Sequence, residues 1–538
     1  MQMATDFAAL DALYPLPPEQ LFRQWVLTRH QGEIPPDWQR RTLAGWHLTS
    51  HPDAHVCNLH ASDGSQLGWV IEPLAFLSST GGALPSSAIT LPIPARAPAV
   101  EIERALYGRD ERGDSSGNGI EGMWVAIIFA GPDAALFRRV YLGAIHSVVY
   151  SAQSRTVATT HNLIPDLRRD DSLSRAFDPL ATSAYFTFGL TAFAGVHRLL
   201  PNHYLDLDKF APVRHWPNAA PKPLASGEAG AAAIVEHARR LLEVLRSEDD
   251  NFHVFLSAGR DSRAILALLR PLVADGRAHV HLATTVAAEM KYVIDLQGAR
   301  RLACIAKLPH EVSWRRRHRA DTRDVMRAFI RIGESKSGPI LSSPDLRNPR
   351  PKKPGFRLAG MAGETARAFY WRKRPFMQRE VTPQFIVERI GSPVTEVVLS
   401  AAEAWLTGLP PGLADSAPDV LDLAYVEQRM GCWESSTRYL FPGRPRTTSP
   451  MASAFSIETM LRLPEEYRAA GLLQRDMVAY GWPELLAVPF NTATGVLRLA
   501  RGATRVPGRM RGKLGRLRRG IFGRRVVVSD GRPASGAA

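Results

Sequence analysis

The chain has 538 residues, 45% hydrophobic and 22% charged, the composition of a soluble globular protein with room for two or three domains. Its three cysteines, Cys57, Cys304 and Cys432, are too few and too scattered for a disulfide framework, which favours a reducing, cytoplasmic setting. The formal net charge is +15, but residues 498–538 carry twelve Lys or Arg against one acid, so +11 sits in a tail and the body needs no nucleic acid to explain it.

In chain order, the opening MQMATDFAALDALYPLPPEQ has no basic n-region or apolar h-region, so no secretory signal is expected. No apolar run nears the roughly 20 residues of a membrane span; Gly122–Gly131 comes nearest and reads as a buried strand. Residues 1–217 look β-rich. HVCNLHASDGSQLGWVI, MWVAIIFAGPDAALFRRVYL and HSVVYSAQSRTVATT each pair two strand-like runs about a turn signal. Ser79–Pro98 reads as a loop. Residues 218–232, rich in Pro, Ala and Gly, read as a linker.

Beyond the linker, Ile234, Ala238, Leu241, Leu242 and Leu245 recur at helical spacing. A strand over Phe252–Leu256, a helix from Asp261 to Leu269, a strand over His279–Val286, a helix with Leu296, Ala299, Leu302 and Ala303, and a strand in LPHEVSW follow. That alternation predicts a parallel sheet with right-handed crossovers. Ligands of such sheets bind beyond the carboxyl ends of the strands, where Ser257–Ser262 fall.

Ser257, Ala258 and Gly259 suit a tight turn whose N–H groups approach a ligand, and a helix N-terminus attracts phosphate oxygens. Asp261 would repel a bare phosphate, so its presence points to Mg²⁺ between carboxylate and phosphates. The plainer reading is that Asp261 and Ser262 only cap the helix.

The stretch LSAGRDS resembles the Ser-Gly-Gly-x-Asp-Ser pyrophosphatase loop of the asparagine synthetase superfamily, with Ala258 where that family has Gly. ATTVAAEMKYVIDLQGARRLACIAKLPHEVSW is similar to the family's second strand, helix and third strand. LAGMAGETARAFYW is similar to its Ser-Gly-x-Gly-x-Asp-Glu segment, with Ala359 and Thr365 replacing the first Ser and the second acid. DLAYVEQRMGCWESS and LLAVPFN resemble later helical parts. The resemblance implies cleavage of ATP between its α and β phosphates, adenylation of a carboxylate, and displacement of AMP by ammonia or an amine.

Carried over residue by residue, Leu256, Ser257, Ala258, Gly259, Arg260, Asp261, Ser262, Thr284, Ala359 and Gly360 would bind ATP or its pyrophosphate. Asp261 and Glu364 would be the catalytic acids and hold Mg²⁺. The fold implied is α/β: an HUP-like parallel ATP-pyrophosphatase domain with a helical C-terminal part over 233–495, preceded by an αββα, Ntn-hydrolase-like domain over 1–217. FAGVHRLLPNHYLDLD is similar to the end of the family's glutaminase half. That half uses an N-terminal cysteine as nucleophile; Gln2 cannot serve, so no glutamine hydrolysis is expected. The family's lysine after Leu-x-x-x-Pro is also missing, since VPFNTATGVLRLARG offers only Arg498 and Arg501. Macrolactam closure, as by lasso-peptide cyclases of the same superfamily, and ATP binding without catalysis are the alternatives.

Three other features read as bland. GNGIEG (Gly117–Gly122) leads into a strand, the reverse of a dinucleotide loop. His51, His55, Cys57 and His60 suit zinc by type, but alternation along a strand splits them between faces. WRRRHR (Trp314–Arg319) reads as a solvated face. The tail from 496 to 538 interleaves Arg with Leu, Ile and Phe and reads as disordered; anionic lipid or nucleic acid is the partner its composition would suit. A homodimer is compatible with the sequence.

Overall fold

The computed structural model describes residues 5–492 apart from 31, 33–34, 112, 132–136, 181, 183, 287–289, 315–320, 336–353, 373–379 and 440–445. The chain is mixed α/β. Its N-terminal part is built on two mainly antiparallel sheets. The first holds six strands, in spatial order Val196–Arg198, Val149–Ser151, Thr156–Ala158, Trp25–Thr28, Trp46–Ser50 and Gln39–Leu43. The second holds seven: Ala211–Arg214, His203–Asp206, Phe137–Leu142, Val125–Ala130, Gln66–Ile71, Val56–His60 and Ala88–Thr90. Each expected hairpin pairs antiparallel. The expected loop at Ser79–Pro98 differs: it contributes two three-residue strands, Gly81–Ala83 and Ala88–Thr90.

Alternation explains why Val125–Ala130 is buried at every position. Val125, Ile127 and Phe129 join Trp25, Trp46, Trp69 and Val140 in one core between the sheets. Ala126, Ile128 and Ala130 point the other way, against the helix Ala99–Tyr107 through Ile102, Leu106 and Tyr107. Each large side chain so buried contributes about 1.5–3 kcal/mol. The outer side of the six-stranded sheet, through Val149, Ala158 and Val196, joins the core that runs on into the C-terminal part.

The C-terminal part holds a five-stranded sheet of β1 (Asn251–Phe255), β2 (His279–Val286), β3 (His310–Trp314), β4 (Phe356–Leu358) and β5 (Arg446–Thr448). Every pairing is parallel, and the spatial order is β3-β2-β1-β4-β5. The chain steps outward from β1 to β3, then returns to the far side of β1. The order therefore reverses between β1 and β4, the position at which ligands of such sheets bind beyond the carboxyl ends of the strands. Helix α1 (Gly227–Arg246) starts inside the stretch expected as linker, because Ser226 caps it by accepting from the Ala229 N–H at 3.2 Å. Helices α2 (Arg260–Leu268) and α3 (Met290–Ala306) are the crossovers after β1 and β2. No described helix is long and apolar enough to cross a membrane.

Candidate functional site

The loop after β1 is held by its own small side chains. Ser262 Oγ accepts from the Ser257 N–H (3.1 Å), and Ser257 Oγ accepts from the Gly259 N–H (3.1 Å). The two hydroxyls lie 3.0 Å apart. Leu256 is buried and donates its N–H to the Ala283 carbonyl. Gly259 is the N-cap of α2, and no side chain caps that helix. Neither Asp261 nor Ser262 makes a capping hydrogen bond; Asp261 stands as an acid in the first turn of α2, and Ser262 braces the loop through Ser257.

Ala258 occupies its position without strain, since it is absent from the residues with positive φ. Its N–H donates to Asp295 Oδ1 on α3 at 3.1 Å. Room for its methyl comes from Gly298, one turn further along α3, where a Cβ would lie 2.5 Å from that methyl.

The segment after β4 packs directly against this loop. Ala359 donates its N–H to the Thr448 carbonyl at 2.9 Å, which fixes the start of the segment. A Cβ on Gly360 would lie 2.7 Å from Asp261 Cβ, and one on Gly363 would lie 2.9 Å from Asp261 Oδ1. These two glycines let the backbone approach the carboxylate. Ala362 between them sits in the left-handed region at φ 66°, a conformation that favours glycine.

Asp261 and Glu364, 103 positions apart in sequence, are joined by Arg367. Its Nη2 lies 3.1 Å from Asp261 Oδ2 and 2.8 Å from Glu364 Oε1. Asp261 keeps 30% of its side-chain surface open, while its Oδ1 is buried, and the Gln474 amide lends the carboxylate a hydrogen bond. Burial raises its pKa above the ordinary carboxylate value; Arg367 opposes the rise and Glu364 adds to it. Tyr425, at the start of a π-helix over Tyr425–Glu434, points its hydroxyl at Glu364 Oε2 (3.5 Å). Arg260 donates to the Gly471 carbonyl. Burial lowers its pKa, and Arg367 and Arg372 lower it further.

Thr284 is placed differently from a ligand contact. It is buried, and its hydroxyl donates to the Leu256 carbonyl at 2.7 Å and lies 2.8 Å from His310 Nε2. It fastens β2 to the end of β1. The other residues named at the loop and after β4 are partly open, apart from buried Leu256 and Ala258.

Sequence reasoning missed Arg367, Gln474 and Arg263, and marked the Asp-bearing start of α3 without giving Asp295 a role. Gln474 donates to the Gly363 carbonyl at 2.6 Å. Arg263, on α2, is wholly buried and donates to the carbonyls of Leu485, Val488, Ala258 and Pro489. Its guanidinium lies 4.0 Å from the Phe490 ring centre, and burial lowers its pKa to about 10. Together with the Asn491 N–H on the Ala258 carbonyl (3.0 Å), it clamps the AVPFN stretch onto the loop. The one signal for it was a basic residue inside an otherwise apolar helix pattern.

Other candidates stand apart. His55 Nε2 lies 3.4 Å from Cys57 Sγ, whose pKa burial raises to about 11, and His60 contacts the Gly64 carbonyl. No group of three metal-ligating side chains occurs among the described residues. Gly119–Glu121 of GNGIEG is a strand. Trp314 is 70% exposed; Arg315–Arg319, Gln2, Arg498, Arg501 and the tail lie outside the described residues. The first strand of the six-stranded sheet begins at Trp25. Before it, Gln24 is buried, donating to the Arg331 carbonyl (3.0 Å) and accepting from Thr160 (2.6 Å). A cavity lined in part by Arg23, Glu72, Met123, Arg446 and Thr448 lies between the two parts of the chain. No family model matches the chain, and no curated protein matches it.

Proposed function

We propose that the chain is an ATP-dependent carbon–nitrogen ligase of the asparagine synthetase kind, forming an acyl-adenylate and releasing pyrophosphate, without hydrolysing glutamine. One observation carries the reading. A serine- and glycine-bearing loop opens α2 at the reversal point of a parallel sheet, with a buried carboxylate oxygen, Asp261 Oδ1, beside it. Phosphates suit the loop and helix start. In this reading the parallel sheet is an HUP-like domain and the paired sheets are a degenerate Ntn-type domain.

Mg²⁺ fits the donor chemistry. Asp261 and Glu364 offer the oxygen ligands a hard cation takes, and phosphates complete its shell. Asp261 and Glu364 would hold it, and Arg367 would give up its contacts with them. The ion would neutralise charge on the departing pyrophosphate.

The chain's own residues do the rest. Ser257 and Ser262 exchange their mutual contact for phosphate oxygens. The N-terminus of α2 stabilises charge that grows on the β phosphate, and Arg260 stabilises charge on the rest of the departing pyrophosphate. Gly360 and Gly363 keep the wall thin enough for the substrate to reach the α phosphorus in line. A carboxylate oxygen attacks that phosphorus as the bond to pyrophosphate breaks; an amine or ammonia then attacks the acyl carbon, loses a proton and releases AMP. Placement and charge neutralisation supply most of the rate.

The test is mass analysis of nucleotide products with a panel of carboxylates and amines, including aspartate and peptides. AMP supports the ligase, and the carboxylate that elicits it separates amino-acid amidation from macrolactam closure. ADP rules out cleavage between the α and β phosphates. Bound but intact ATP favours a binding protein, the rival that the Arg367 bridge across both carboxylates supports. Asp261→Ala should cut AMP formation by at least about a hundredfold; an unchanged rate would remove Asp261 from the mechanism.

A further inference from the structure

Three guanidinium groups converge beside the Asp261 corner. The helix Glu465–Ala470 ends at Gly471, whose φ is 64°. A Cβ added there would lie 2.7 Å from Arg372 Nη1, 3.4 Å from Arg260 Nη1 and 3.6 Å from Arg367 Cγ. Only glycine leaves this space to the arginines. Burial depresses the pKa of Arg260, and the charges of Arg367 and then Arg372 lower it further. Two carboxylates, Asp261 and Glu364, face this cluster, and both are taken by Arg367. Among the described residues Arg260 donates to a neutral carbonyl and lies 5.5 Å from the Phe490 ring centre, with the Asp261 charge favouring its protonated form. Arg372 is exposed.

Gathering like charges is unfavourable unless an anion completes the set. We propose that Arg260, Arg367 and Arg372 form a subsite for the terminal phosphoryl group of a polyphosphate. Arg260 belongs to the serine loop, and Arg367 and Arg372 approach it from the segment after β4, so the subsite holds a phosphate next to those the loop binds. Guanidinium forks suit the tetrahedral dianion, with up to two donors from each arginine. The subsite makes the chain select by phosphate number, preferring a triphosphate to a monophosphate. It rests on the adenylating reading only for the source of the phosphate, either the nucleotide's end or free pyrophosphate.

The experiment is calorimetric titration of the full-length protein, with metal chelated, using orthophosphate, pyrophosphate, tripolyphosphate, AMP and ATP. Pyrophosphate and tripolyphosphate should bind at least about tenfold more tightly than orthophosphate, and ATP more tightly than AMP by a similar factor. Arg372 is exposed, so Arg372→Gln should fold normally and weaken tripolyphosphate binding by about tenfold. Arg372→Lys should restore part of it. If free pyrophosphate shows the Arg372 effect and ATP does not, the subsite serves the released product; the reverse assigns it to the nucleotide's end. Equal binding by wild type and Arg372→Gln, or no binding of any polyphosphate, overturns the proposal and leaves the arginines as caps on the Glu465–Ala470 helix. The two readings fail separately. AMP formation with Arg372-independent binding sinks only the subsite, and Arg372-dependent binding with no AMP from any substrate sinks only the ligase.

Discussion

Arg263 carries a positive charge into the interior with carbonyl oxygens, and no carboxylate, bound to it. Burying a charge is costly unless its donors are satisfied. Here the carbonyls of the 485–489 stretch supply the compensation, so the stretch and the guanidinium hold each other in place. Arg263→Met keeps most of the stem volume but strands several carbonyls, each worth about 1 kcal/mol or more when left unpaired. The variant should lower the unfolding midpoint and open Pro483–Asn491 to protease; an unchanged cleavage pattern there would show that the clamp holds without the arginine. The pattern of the sequence marked the loop well because its residue types are unusual at a strand–helix switch. Arg263 and Arg367 were not legible, since an arginine in a helical stretch looks alike whether it faces solvent, four carbonyls or two carboxylates.

Between elements, the fit of the loop to α3 depends on two small residues. Ala258 packs its methyl into the space left at Gly298, and its N–H reaches Asp295 one turn earlier. Gly298→Ala would raise helix propensity by about 1 kcal/mol, yet it drives two methyl carbons to 2.5 Å and should destabilise the protein by about 1–3 kcal/mol net. Ala258→Gly in the same chain should recover only part of that loss, since the Ala258 Cα would still lie 2.9 Å from the new methyl, and a double-mutant cycle on unfolding midpoints measures the coupling. Additive effects would mean the pair does not meet. Strand and helix order were readable from β1 to β3, because apolar runs and helical spacing are local signals. The meeting of Asp261 with Glu364 was not: it follows from β4 sliding in on the far side of β1, which no local pattern encodes. Only the likeness of LAGMAGETARAFYW to a known segment pointed to it.

At the scale of the molecule, three arginines of the N-terminal part each grip a buried glutamate of the C-terminal part. Arg109 holds Glu458 at 2.6 Å, Arg169 holds Glu334 at 2.7 Å and Arg214 holds Glu427 at 2.6 Å. Such pairs fix geometry more than they add stability. Asn202 and Trp405 complete the shell of Glu427, and His203 lies beside it. Burial, more than the nearby charges, depresses the His203 pKa to about 4, and its Nδ1 contacts the Pro201 carbonyl at 2.9 Å. The folded pKa lies below the unfolded value of about 6.5. Below that pH the unfolded chain takes up a proton that the fold refuses. The contribution of neutral His203 is therefore complete above about pH 6.5 and is lost as pH falls toward 4, at about 1.4 kcal/mol per pH unit. Asn offers the same donor to Pro201 without titrating. Between pH 7.5 and 4.5 the unfolding midpoint of His203→Asn should fall less steeply than that of the wild type, and the difference between the pair cancels every other titrating group. Parallel curves would mean that water already reaches the imidazole in the folded protein, and that this part of the seam between the two halves is open.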